Sequence, residues 1–168
     1  FRFATSVGGT ATGEGADILI VDDPHNPLQT ASELQRNHGI EWFNQTFSTR
    51  LNNKKKGAIV LVMQRLHVDD LSGHLLKKGG WEHLCLPAIA EKNIIYNYSG
   101  INKEIKIGDF LHEGREGKDE IANAKRDLGS YGFAAQYQQQ PVPVKGGMVE
   151  LNWIKRYDTK PAEGLIIQ

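Results

Sequence analysis

A run of four apolar residues, Ile18-Leu19-Ile20-Val21, ending in Asp22-Asp23-Pro24, constrains the fold of this chain more than any other stretch. A strand with one face in water alternates apolar and polar residues, whereas an unbroken run is the pattern of a central parallel strand covered on both faces. This strand, residues 17–21, follows a glycine-rich loop over residues 8–15. It stops at two acids and a proline, a residue that cannot donate to a sheet ladder.

What comes next has the form of a crossover to a second parallel strand. Thr30 with Glu33 fits a capping box, and Ile40, Phe43, Phe47 and Leu51 mark one face of a helix over residues 31–51. Beyond the polar link 52–56, the apolar run 58–63 reads as a second buried strand. A short helix carrying Leu71, Leu75 and Leu76 follows and ends at Gly79-Gly80. Residues 82–86, closed by Pro87, fit a third strand. Strand, helix, strand, helix, strand in that order predicts an α/β fold with a parallel sheet and flanking helices over residues 1–90.

Residues 91–132 read as a small subdomain or excursion. It is polar at first, with a strand-like piece at Ile105-Lys106-Ile107, and then helical from Lys118 to Leu128, with Gly129 as the stop. Residues 133–168 read as a linker and the start of a following domain: Gln136-Tyr137-Gln138-Gln139-Gln140 runs into Pro141-Val142-Pro143 and Gly146-Gly147, a mixture of rigid and permissive residues suited to an interdomain passage. The chain opens at Phe1-Arg2-Phe3 and closes at Leu165-Ile166-Ile167 as if inside strands. Both ends therefore read as cuts in a longer protein.

At 168 residues the chain can bury a core, since a domain of that size hides roughly 70% of the surface its unfolded form exposes. Lys plus Arg and Asp plus Glu are 20 each, so no global positive field marks an autonomous nucleic-acid-binding domain. No apolar stretch approaches the roughly 20 residues of a membrane helix. The single cysteine, Cys85, lies in the apolar run Leu84-Cys85-Leu86 and reads as a small hydrophobe.

Apolar residues ending in two acids have the form of a Walker B segment, in which a strand delivers a carboxylate to a nucleotide-bound magnesium ion. Phosphoryl transfer needs a hard cation on the β and γ oxygens, and magnesium takes carboxylate and water ligands. Asp22 is the candidate for the metal shell, and Asp23 for orienting or deprotonating the attacking water. The same three residues, Asp22-Asp23-Pro24, also fit a plain strand ending. The second strand ends Met63-Gln64-Arg65. If the strands are parallel, Gln64 and Arg65 share an edge with Asp22, at the carboxyl ends where ligands of open α/β sheets collect. Gln64 is then a candidate for the γ-phosphate or its water, and Arg65 either for phosphate or for a surface ion pair.

Other polar clusters have simpler readings. Asp69 and Asp70 fall at a helix start, where acids complement the dipole, so His67, Asp69, Asp70 and His74 need no metal. Lys54-Lys55-Lys56 reads as a solvated loop. The phosphate-cradling pattern Gly, four residues, Gly-Lys, Ser or Thr does not occur; the closest approach, Gly117-Lys118, is followed by Asp119.

Taken as a series, several stretches resemble the large terminase subunit of tailed phages and prophages: the loop from Gly8 to Gly13, Asp17 through His25, Val62 through Gly73, Leu86 through Ala90, Gln136 through Gln139 with Pro141, and Gly146-Gly147. The resemblance implies a partial P-loop NTPase of the ASCE type, using ATP and Mg2+ in the intact protein. It also implies an ATP-driven motor that moves double-stranded DNA into a procapsid, with a metal-dependent endonuclease beyond this piece. The implied partners are DNA, the portal protein, the small terminase subunit and further copies of the motor. The implied location is the bacterial host cytoplasm and, transiently, the portal. Half of another P-loop motor such as a helicase, or a non-catalytic prophage remnant acting as an interaction module, are the alternatives.

Overall fold

The computed structural model describes residues 3–9, 11, 13–98 and 100–142. Phe1 and Arg2 of the opening stretch, the part of the expected linker from Pro143 through Gly147, and Leu165-Ile166-Ile167 lie outside them.

The apolar run forms strand β1, Ile18–Asp22, and the second run forms β2, Ala58–Val62. They pair in parallel, Ile18 opposite Ala58 through Asp22 opposite Val62, so the two acids and the Gln64-Arg65 pair emerge at one edge. One face of this pair is packed. Leu19 and Val21 form a cluster with Phe43, Phe47, Leu71 and Leu75, and Ile59, Leu61 and Met63 pack against it. The other face is exposed: Ile18 is 62%, Ile20 64%, Val62 55% and Val60 42% accessible. The unbroken apolar run therefore has one buried face where two were expected, because among the described residues no layer covers the second.

Helix α1, Glu33–Trp42, begins two residues later than the sequence suggests. Ser32 is its N-cap residue, and Thr30 forms no capping box because its hydroxyl donates back to the Asn26 carbonyl at 2.7 Å. The helix then widens into a π turn, Phe43–Phe47, and tightens into a 3-10 turn, Ser48–Arg50. Four rings crowd at that widening: Trp42 and Phe43 lie 5.0 and 6.0 Å from Phe47 by ring centroid, and Trp81 lies 6.1 Å from Phe43. A π turn moves successive side chains around the axis where an α turn would stack them.

Helix α2, Leu71–Lys78, has the caps its sequence announces. The Asp70 side chain accepts from Gly73 N, and Gly79 sits at φ 78 as the stop. No third strand forms over residues 82–86. That stretch runs without a ladder partner among the described residues, and its Cys85 carbonyl accepts the Tyr96 hydroxyl. Residues 91–117 contain an antiparallel hairpin, β3 Ile94–Tyr98 with β4 Ile101–Ile105, so the strand-like piece ends at Ile105 and does not continue to Ile107. Helix α3, Lys118–Gln136, is two segments joined at Gly129, whose φ of 68 and ψ of 172 break the helix where the sequence places a stop. No helix among the described residues is long and apolar enough to cross a membrane.

Candidate functional site at the carboxyl ends of the parallel strands

Asp22 is the last residue of β1, and its exposed carboxylate has no hydrogen-bond or ion-pair partner among the described residues. Asp23 follows at φ 39, in the left-handed region that L side chains rarely adopt. Two bonds hold it there: its N–H donates to Val62 O at 2.9 Å, and its Oδ1 accepts from Gln64 N at 3.2 Å. Parallel pairing thus ends in a clasp between the second acid and the residue that leaves β2.

The Gln64 side chain is half-buried and lines a cavity of about 310 Å3 with Leu86, Ala88, His112, Glu116 and Gln139. Asp22 and Asp23 do not line it. Gln64 therefore joins the acids through its backbone, while its amide faces the segment that precedes the hairpin and the end of α3.

Arg65 sits deeper than a surface cation. Its Nε donates to both carboxylate oxygens of Asp70 at 3.0 Å, its Nη2 donates to His67 O at 3.3 Å, and Nη1 has no partner among the described residues. Asp70 is fully buried and accepts in addition from Gly73 N, Leu66 N and His67 N. An ion pair of this kind, saturated with backbone donors, shapes the loop between β2 and α2. Beside it His25, also buried, accepts from Leu71 N through Nε2 at 2.9 Å, which puts the ring proton of the neutral form on Nδ1. Burial pushes the His25 pKa down; the Asp70 charge opposes this and the Arg36 charge adds to it. Arg36 is itself buried, with Nη1 donating to the Thr30 and Ala31 carbonyls.

His25, Arg36 and the central role of Asp70 are not apparent from the sequence. Only Asp70 leaves a local signal, an acid three residues before the small Gly73 at a helix start. Of the remaining polar residues there, Asp69 is bonded to Lys77, which holds its carboxyl below the usual range, and His74 Nε2 lies 3.2 Å from Asn44 Nδ2. Lys54-Lys55-Lys56 is an exposed turn whose last two amides donate to Asn53 Oδ1. Cys85 is half-buried, and burial pushes its thiol pKa up, away from reactivity.

Among the described residues no group of three or more His, Cys, Asp and Glu side chains could hold a metal ion alone. A magnesium ion carried by a nucleotide needs less, because phosphate oxygens and water fill most of its shell and one or two carboxylates complete it. The unpartnered Asp22 carboxylate fits that donor set. No protein-family model matches the chain, and no curated protein matches it.

Proposed function

We propose that this chain is the Walker B half of the ATPase domain of a phage-type terminase large subunit, within a partial P-loop NTPase fold. The observation that carries the proposal is the shared strand edge: Asp22 and Asp23 end one strand, Gln64 and Arg65 leave its parallel neighbour, and Asp23 bonds Gln64 N across the gap. The order of motifs along the sequence supports the same family.

Bound MgATP would supply the electrophilic phosphorus and the charge-neutralising cation. Asp22 would complete the magnesium shell with its free carboxylate. Asp23 has one oxygen occupied by Gln64 N and a second left to accept a proton from, or orient, water. Gln64 stands at the same edge through its backbone, with its side chain on the adjacent cavity. Among the described residues Arg65 keeps Nη1 and the second N–H of Nη2 for an anion, Nε and the first being engaged by Asp70 and His67. Under this proposal the partners are double-stranded DNA, the portal protein, the small terminase subunit and other copies of the motor, in the host cytoplasm and at the procapsid portal.

The test is magnesium-dependent ATP turnover by a protein that joins this chain to a Gly-Lys-Ser/Thr phosphate loop. Asp22→Ala and Asp23→Ala should each lower kcat by about 100-fold or more, the scale of losing a metal ligand or a general base. Unchanged turnover in both would end the proposal.

A further inference from the structure

Three consecutive glutamines after α3 hold two parts of the molecule: Gln138 and Gln140 both bind residues 89–91, where Gln138 Nε2 also donates to Glu91 Oε1 at 2.9 Å, and Gln139 binds elsewhere. Gln138, buried, binds Ile89 twice, with Oε1 accepting from Ile89 N and Nε2 donating to Ile89 O, both at 3.0 Å. Gln140 donates to Glu91 Oε2 at 2.9 Å. Gln139 stands at φ 59 and reaches the strand edge: its Nε2 donates to Gln136 O at 2.6 Å, and its Oε1 accepts from Arg65 N at 2.9 Å. A glutamine pays a steric cost of roughly 1–2 kcal/mol for a left-handed backbone, so this conformation persists because the surrounding bonds hold it.

Gln64 N and Arg65 N lie past the end of the β1–β2 ladder, where neither has a strand to donate to. Each receives a side-chain oxygen instead, Asp23 Oδ1 for the first and Gln139 Oε1 for the second. These amides belong to the two peptide planes on either side of the Gln64 Cα. With both planes held, φ and ψ of Gln64 are set, and with them the direction of its Cβ.

We propose that Gln139 is a positioning residue for Gln64, acting with Asp23 as a two-sided clamp that couples the strand edge to the Gln136–Gln140 segment. The clamp goes beyond the nucleotide proposal and does not depend on it. Loosening either side frees one of the two dihedrals of Gln64, and so weakens the bond on the other side. The coupling is reciprocal, as any linkage between two sites must be.

The test is amide hydrogen exchange on the 168-residue chain without nucleotide. Gln139→Leu should speed exchange at Arg65 N by about tenfold, the loss of one net hydrogen bond. It should also speed exchange at Gln64 N severalfold, although the acceptor of that amide is intact. Asp23→Ala should do the converse. Leu71 N and Gly73 N, held by His25 and Asp70, report global stability and should not change. Unchanged exchange at Gln64 N in Gln139→Leu would overturn the clamp. So would a parallel rise at Leu71 and Gly73.

Discussion

Replacing Asp70 by alanine should be among the most damaging single changes in this chain, although Asp70 touches neither candidate acid. Its carboxylate is fully buried and receives Arg65 Nε together with the amides of Leu66, His67 and Gly73. Breaking a buried ion pair by removing one partner costs about 3–5 kcal/mol. The Arg65 side chain is 14% accessible and can reach some water, so the lower end applies. Loss of the α2 cap contributes about 1 kcal/mol more, partly the same energy counted through Gly73 N. The sum is about 3–4 kcal/mol, a large part of the roughly 5–15 kcal/mol that holds a domain folded. With a urea slope near 2 kcal/mol per molar, the midpoint should fall by about 1.5–2 M. Fluorescence of Trp42 and Trp81, both packed on the core cluster, can follow the transition. Arg65→Ala should cost less, about 1.5–2 kcal/mol, because Asp70 keeps its three backbone donors. A shift under about 0.5 M for Asp70→Ala, or a larger loss for Arg65→Ala, would refute the account of this pair.

Two further outcomes follow from the same loop. The folded-state pKa of His25 is lowered by burial, and that of His67 by burial and by the Arg36 charge. As pH falls through the ordinary imidazole value of about 6.5, the unfolded chain takes up these protons before the folded one does, so stability holds above that pH and declines below it. Urea midpoints measured from pH 8 to 5 should fall below about 6.5 and fall less in His25→Gln; a midpoint that rises on acidification contradicts this. Gly73→Ala sets helix propensity, which favours alanine by about 1 kcal/mol, against a Cβ that would stand 2.1 Å from Val68 O and 3.0 Å from Arg65 Nη2. The backbone clash should win by about 2 kcal/mol or more, lowering Tm by at least about 5 °C, and a raised Tm would show that the loop yields freely.

How much of this was legible in the sequence depends on whether the signal is local. Both parallel strands lie within a residue of their apolar runs, α2 carries its caps at Asp70 and Gly79, and Gly129 marks its break, because each depends on neighbours a few residues away. The shared edge of Asp22, Asp23, Gln64 and Arg65 followed from one further premise, parallel pairing. The misplaced third strand shows the limit: residues 82–86 have the composition of a strand, but a strand also needs a partner, which composition does not name. The start of α1 moved because the Thr30 hydroxyl had a second acceptor at Asn26. Gln138 and Gln139 find their partners 49 and 74 residues away, and His25 finds Leu71 46 away. Such bonds leave no periodicity to read, so a row of glutamines looked like a linker.

The uncovered face of the β1–β2 pair also has a colloidal consequence. Ile18, Ile20, Val60 and Val62 form a water-facing apolar patch on a short sheet whose outer edges have no strand beside them among the described residues. Surfaces of that kind adhere to one another edge to edge and face to face. Concentration will therefore act on this chain as a variable separate from folding: a sample can keep its Asp70-centred loop and its strand-edge clamp intact and still leave solution. Because these side chains lie on the opposite side of the sheet from the packed cluster, polar replacements there can change solubility while leaving the core untouched.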